Sequence, residues 1–197
     1  MKYRRRLAFL SVAVAAALLG GCVTHITTDI TQNPPPAEKF AGFTRFELAK
    51  VALVAPYAGH EANESALVKI QENVSLKTDP LLQGWNAAGA TVTPVRTLVI
   101  TPVVTEIKFI RVGIRILAGA LPGSSAVILR ATITEKETGQ AIASPLFFAR
   151  AAAMGGRWTF GVTDNLMLTR VADRFTDYLA ANYGAAVGGP TGAEPRK

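Results

Sequence analysis

One cysteine stands in this chain of 197 residues, and its position constrains the fold more than any other feature. Cys22 follows Leu19-Gly20-Gly21. Ahead of these come Leu7–Leu19, thirteen residues without a charge, and a start carrying Lys2, Arg4, Arg5 and Arg6. A basic start, a short apolar run and small residues before a break make a secretory signal peptide, residues 1–21. The run is too short to cross a hydrocarbon core of about 30 Å, which takes about 20 residues. An exported chain with one thiol has no disulfide framework and no cysteine-rich zinc site, so an ordinary apolar core must hold it. The composition allows this, since 49% of the residues are hydrophobic and only 18% charged, which excludes disorder as the general state.

The formal net charge of +7 is unevenly placed. Residues 1–21 hold four of the 21 basic residues and no acidic one, so their removal leaves 17 basic against 14 acidic side chains. That is an ordinary surface, and nucleic acid drops out as a partner.

Leu19-Gly20-Gly21-Cys22 resembles the lipobox of bacterial lipoproteins. The resemblance implies cleavage between Gly21 and Cys22 and acylation of Cys22, so that membrane lipid is the first partner. Two or three acyl chains anchor firmly, where one alone binds marginally. Val23 stands where Asp would retain an enterobacterial lipoprotein in the inner membrane, which implies the outer membrane of a Gram-negative cell with the domain facing the periplasm. The Arg4-Arg5-Arg6-Leu7 run loosely resembles a twin-arginine export signal, but no cofactor motif demands folding before export, and Sec export is expected.

Residues 22–39, rich in Thr and containing Asn33-Pro34-Pro35-Pro36, read as a lipidated tether that extends at about 3.1 Å per residue where it is polyproline II. A globular domain is expected over 40–184 and a flexible tail over 185–197. Within the domain, Val51–Pro56 is short and apolar, as a buried strand should be. Glu61–Lys77 places Leu67, Ile70 and Val74 at helical spacing. Thr78-Asp79-Pro80 predicts the cap of a second short helix ending at Gly89. Thr91–Val95 reads as a short strand, and Thr97–Ile110 as a longer one in which Pro102 marks an edge or a bend. Ser125–Glu137 alternates, with Val127, Leu129, Ala131 and Ile133 on one face and Arg130, Thr132, Thr134 and Lys136 on the other. The turn Glu137–Gln140 leads to a returning strand over Ala141–Ala151. A last helix, capped at Thr163 and stopped at Gly184, carries Leu168, Val171, Ala172, Phe175, Tyr178 and Leu179 in one stripe. Val127, Leu129 and Ile133 should share a core with Leu168, Val171 and Phe175. The fold class is α+β: a single small sandwich with a mixed or antiparallel sheet and two main helices packed on one face.

This order of elements behind a lipobox is similar to the small periplasmic lipoproteins whose fold is like the amino-terminal domain of TolB, among them the penicillin-binding-protein activators. Ile107-Lys108-Phe109-Ile110-Arg111, then Gly119, Gly123 and the Thr138-Gly139 turn, resemble the strand, glycine loop and hairpin of an uncharacterised lipoprotein family. The resemblance spans about residues 45–184 and implies fold and location, with no catalytic signature.

Chemical motifs are sparse. His60-Glu61-x-x-Glu64 lacks the second imidazole of the His-Glu-x-x-His zinc helix and reads as a polar helix start, so neither a metal nor a cofactor is expected. There is no Gly-x-Ser-x-Gly elbow and no order suggesting a triad. Glu106, Glu135 and Glu137, the strand carboxylates, read as solvated surface. The chain is therefore expected not to be an enzyme. Candidate binding residues are Lys108, Arg111, Arg115, Gly119 and Gly123, in a segment that is apolar yet carries cations beside glycines. Packing and turn formation explain the segment at least as simply as a docking surface does. Two functions follow. One is a non-catalytic adaptor binding another envelope protein through an apolar patch or an open sheet edge. The alternative is a lipid- or glycan-binding module using the apolar segment with Arg130, Arg150 and Arg157.

Overall fold

The computed structural model describes residues 26–109, 124–151 and 162–193. In chain order these form β1 (Gln32–Asn33), a 3-10 turn (Phe40–Gly42), β2 (Arg45–Leu48), β3 (Ala52–Leu53), α1 (Glu61–Gly89) and β4 (Thr97–Lys108). There follow β5 (Ala126–Glu135), β6 (Ala141–Ala143), β7 (Leu146–Arg150), α2 (Val162–Gly184) and β8 (Gly189–Pro190). β4 and β5 make the centre of the sheet. β2 and β3 lie parallel to β4 on one flank, and β6 and β7 lie antiparallel to β5 on the other. The expected α+β class and mixed sheet are what the molecule has.

Both helices cover one face and run side by side in the same direction. Lys77 of α1 pairs with Asp173 of α2, the Thr78 and Thr176 hydroxyls lie 2.8 Å apart, and Trp85 stacks on Tyr183. Beneath them the expected set of Val127, Leu129, Ile133, Leu168, Val171 and Phe175 shares one core with Ile70, Val74, Leu98, Ile100 and Phe147. A bulge in β4 between Val104 and Glu106 shifts the pleat, so Ile107 enters the same core as Val104 despite the odd spacing.

Several local expectations are corrected. The buried strand expected over Val51–Pro56 is only β3, two residues that are not buried, and the returning strand expected over Ala141–Ala151 is split into β6 and β7. α1 is one helix of 29 residues, with Pro80 inside it. Thr78 spends its hydroxyl on Thr176 rather than on a cap, Pro80 is exposed, and Val74 and Leu82 on either side enter one core. That shared burial offsets a proline cost of about 3 kcal/mol. Residues 91–95 are exposed and form no strand, because they have no face to bury. Pro102, expected at an edge or a bend, lies in central β4. Ala131 donates its N–H to the Pro145 carbonyl, so it faces Pro102 as a non-hydrogen-bonded pair. The Pro102 nitrogen then points to the other flank, into the gap between the registers of β2 and β3, and no ladder bond is lost.

The largest difference concerns the ends of the domain. Residues 26–39 and 185–193, expected within a free tether and a flexible tail, are built into the domain. β1 pairs with β8 to make a strap along the free edge of β7, and the residues flanking it, Ile26 and Ala193, reach the outer face of the sheet. Ile26 (4% exposed), Ala126, Ile128, Leu146 and Phe148 form a second buried cluster there, with Ala193 against it. Without the strap, Ile128, Leu146 and Phe148 would face water. Gly188, at φ 74°, permits the turn into β8, where an added Cβ would meet the Asn33 carbonyl at 2.4 Å.

Candidate functional site

The residues named from sequence do not all fall within the described regions. Gly21 and Cys22 precede residue 26, and Arg111, Arg115, Gly119, Gly123 and Arg157 lie in 110–123 and 152–161, so these expectations lie outside the described residues. Lys108 is placed as the last residue of β4.

Lys108 marks one end of the sheet. It is directly opposite Ala126, and Ala126 is opposite Arg150 on the other side, so three strands contribute one row on the outer face. With strands about 4.8 Å apart, the two cations stand about 10 Å from each other across a small residue. Arg150 is exposed, with its guanidinium carbon 5.7 Å from the Phe148 ring centre. The next row holds Glu106, Ile128 and Phe148, and the one beyond holds Val103, Arg130 and Leu146. The third member of the alternative reading's arginine set that is described, Arg130, is thus exposed two rows away. Tyr57, in the connection from β3 to α1, has its hydroxyl pKa raised by burial and then by the negative charge of Glu106. His60 is the N-cap residue of α1, and Glu64 accepts the Gly59 N–H, so the polar helix start holds. Among the described residues no three His, Cys, Asp or Glu side chains gather as a metal site, and no helix is long and apolar enough to cross a membrane.

At the opposite end of the sheet, the carboxylates expected at the solvated surface have structural partners. Arg96 donates from Nη2 and Nη1 to the two oxygens of Glu38 (2.6 and 3.0 Å) and from Nε to Glu135 (2.6 Å), with its guanidinium carbon 4.3 Å from the Phe43 ring centre. Glu135 is buried, and its pKa is lowered by the Arg96 hydrogen bond and then by the Thr138 hydroxyl. Glu137 is lowered by the backbone N–H of Thr97. This network ties the segment before β2 to the β5 hairpin. No spacing rule links Glu38, Arg96 and Glu135, which is why the sequence did not reveal it.

The edges of the sheet decide which modes of partner binding remain. On the β2 flank, the Phe46 N–H donates to Asn86 Oδ1 (2.7 Å) and Asn86 Nδ2 donates to the Phe46 carbonyl (3.0 Å). Nearby, the Val51 N–H donates to Gln71 Oε1 (2.7 Å). On the β7 flank, the Leu146 N–H donates to Asn33 Oδ1 (2.7 Å) and Asn33 Nδ2 donates to the Leu146 carbonyl (2.9 Å). The Phe148 N–H goes to the Thr191 carbonyl (2.8 Å), and the Phe148 carbonyl accepts from Arg174 Nη1 (2.6 Å). At Phe46 and at Leu146 an asparagine amide stands in for a neighbouring strand. A partner cannot add a strand at these residues without displacing those groups. By contrast, Val68 and Leu76 on the outer side of α1 are 60% and 73% exposed.

No protein-family model matches the sequence, and neither does any curated protein. Solved structures with a similar outline include the PelC dodecamer from Paraburkholderia phytofirmans, at 13% identity and TM-score 0.39, over 74% of this chain and 92% of that one. The hypothetical protein CT253 from Chlamydia trachomatis is similar at 10% identity and TM-score 0.38, over 71% and 99%. A candidate lipoprotein from Caulobacter crescentus CB15 is similar at 9% identity and TM-score 0.36, over 72% and 91%.

Proposed function

We propose that this chain is a lipid-anchored protein of the bacterial outer membrane, acylated on Cys22, whose domain is a non-catalytic adaptor for another envelope protein. The anchor is carried by the lone cysteine directly after Leu19-Gly20-Gly21. The adaptor role is favoured by Val68 and Leu76, which lie two helical turns apart on the outer side of α1, since apolar groups presented this way suit protein contact. A kinship with the amino-terminal domain of TolB and the penicillin-binding-protein activators is supported by a parallel β-α-β unit followed by antiparallel strands and a second helix on the same face.

Metabolic labelling with an alkyne fatty acid tests the anchor. Cys22→Ser should lose the label and membrane retention while the domain still folds, and a label persisting on that variant would place the anchor elsewhere. Fractionation of the two membranes tests the address that Val23 implies. Affinity capture from envelope extract with the full chain tests the adaptor role, and recovery of no stoichiometric protein over a range of salt would remove it.

A further inference from the structure

The strap fixes where an anchor on this chain would have to be. Asn33 is seated at Leu146, and Thr191, bonded to Thr31, is seated at Phe148. Going back towards the N-terminus, the chain therefore steps along β7 towards Arg150. It arrives at Ile26, which shares one buried cluster with Ala126, Ile128, Leu146 and Phe148 and lies five residues beyond Thr31 in the direction of the end that carries Lys108 and Arg150. Three residues lie between Cys22 and Ile26, and the four steps span at most about 14 Å at full extension. That is about one radius of gyration for a domain of this size. A free spacer from 22 to 39 would instead reach about 50 Å as polyproline II.

We propose that this end of the sheet rests on the bilayer surface, with the strap as its fixed link and the Lys108–Arg150 row facing anionic lipid headgroups. The inference rests on the reading that Cys22 is acylated. Two observations select the headgroup layer as occupant. The length of chain before Ile26 holds this end next to the acyl anchor. The row also presents a cation on each side of Ala126, with Glu106 one row further from the end, and cations near an anionic membrane are attracted to it within a Debye length. The opposite end, at the turn following Glu135, is nine residues of β5 away, about 30 Å.

The acylated full chain, reconstituted in vesicles of phosphatidylethanolamine and phosphatidylglycerol that carry a headgroup-linked quencher, reads this orientation directly. Acylation occupies the Cys22 thiol, so a fluorophore can be placed at Ser124→Cys, near Ala126 but outside the row of cations, or, at the far end, at Gln140→Cys. Arg150→Gln in the Ser124→Cys background tests the row itself and should weaken the near-end quenching. The near-end probe should be quenched severalfold more strongly than the far-end one, and a Gly/Ser spacer of about twelve residues after Val23 should abolish the difference. Equal quenching at both ends, on protein that carries the fatty-acid label and floats with the vesicles, would overturn the proposal and leave the anchor intact. Absence of the label would overturn the anchor and this proposal together. Protection of the near-end probe that depends on protein concentration, and not on lipid, would assign the surface to a second copy of the chain and overturn the membrane reading.

Discussion

The two faces of the sheet are covered by different physics. Under the helices, large apolar side chains from α1, α2 and every strand of the sheet meet in one core, and Phe147 packs edge-on against Phe175 with ring centres 5.8 Å apart. On the outer face the strap buries only a small cluster, and much of its hold on the sheet is polar: the Asn33 amide on Leu146 and the Thr191 carbonyl on Phe148. The first face is held by area removed from water, about 25 cal/mol per Å². The second is held by satisfying backbone groups of an edge strand that would otherwise be open. Loss of the strap should therefore loosen β7 and leave the helical core standing, whereas loss of core volume should unfold the whole domain.

The largest expected effect breaks the helix face. Phe175→Ala removes a fully buried ring and should cost about 3–5 kcal/mol, and Leu129→Ala about 2–5 kcal/mol, in denaturant unfolding. Losses below about 0.5 kcal/mol at both would mean these side chains do not share a packed core. The next effect breaks the strap. Asn33→Ala leaves the Leu146 N–H and carbonyl without partners and should cost about 1–3 kcal/mol. It should also speed hydrogen exchange at the Leu146 and Phe148 amides while Ile70 and Val171 stay protected. Uniform loss of protection would show that the two faces unfold as one unit.

The same division explains what could be read in the sequence. Val127, Leu129, Ala131 and Ile133 alternate, and Leu168, Val171, Phe175 and Leu179 repeat at helical spacing, so the helix face is legible as periodicity. The strap is not. Its residues are Thr, Asn, Pro and Gly, which are ordinary in a linker, and Asn33 meets Leu146 across 113 positions of sequence. One local signal did exist. Ala126 to Leu129 are four apolar residues in succession, which a strand with one wet face should not show, and all four are buried. Pro80 and Pro102 misled for a related reason, because each rule concerns the local backbone and each was overridden by a distant partner, α2 for the first and the gap between β2 and β3 for the second. Of the candidate site residues, Lys108 is the one within the described regions, as the last residue of β4. Its row partner Arg150 was seen only as one of a loose set of arginines, since pairing register is invisible before the fold is known.

A smaller effect sharpens the comparison through pH. Glu135 and Glu137 fasten the end of the sheet furthest from the row of Lys108 and Arg150, and both have pKa values lowered below the usual 4.5 by the hydrogen bonds they accept. A depressed carboxylate contributes stability that is complete above its unfolded value and disappears as pH falls through its folded value. The melting temperature should therefore drop as pH falls below about 4.5. Glu135→Gln should lower it at pH 7 and flatten its fall in acid. An unchanged acid limb in that variant would assign the acid sensitivity to other groups.

The smallest expected effect on stability is on the outer side of α1, and it bears on how the two faces divide the work. If the strap end of the sheet lies on lipid and the edges are covered at Phe46, Leu146 and Phe148, the outward surface of the helices is the part of the described domain best placed for a protein partner. Val68 and Leu76 are the large apolar groups of α1 most exposed there. Because solvent already covers them, Val68→Glu with Leu76→Glu should change unfolding free energy by no more than about 0.5 kcal/mol per substitution. Helix propensity scarcely opposes the change, since Glu is a good helix former and Val a poorer one. Capture of the envelope partner should nevertheless fail, because two carboxylates would have to be desolvated at the contact. The measurement is a paired one, thermal unfolding beside affinity capture with the acylated chain. Capture that survives the double change at unaltered stability would move the partner surface off α1 and leave this stripe as incidental exposure, which single apolar residues on a surface ordinarily are.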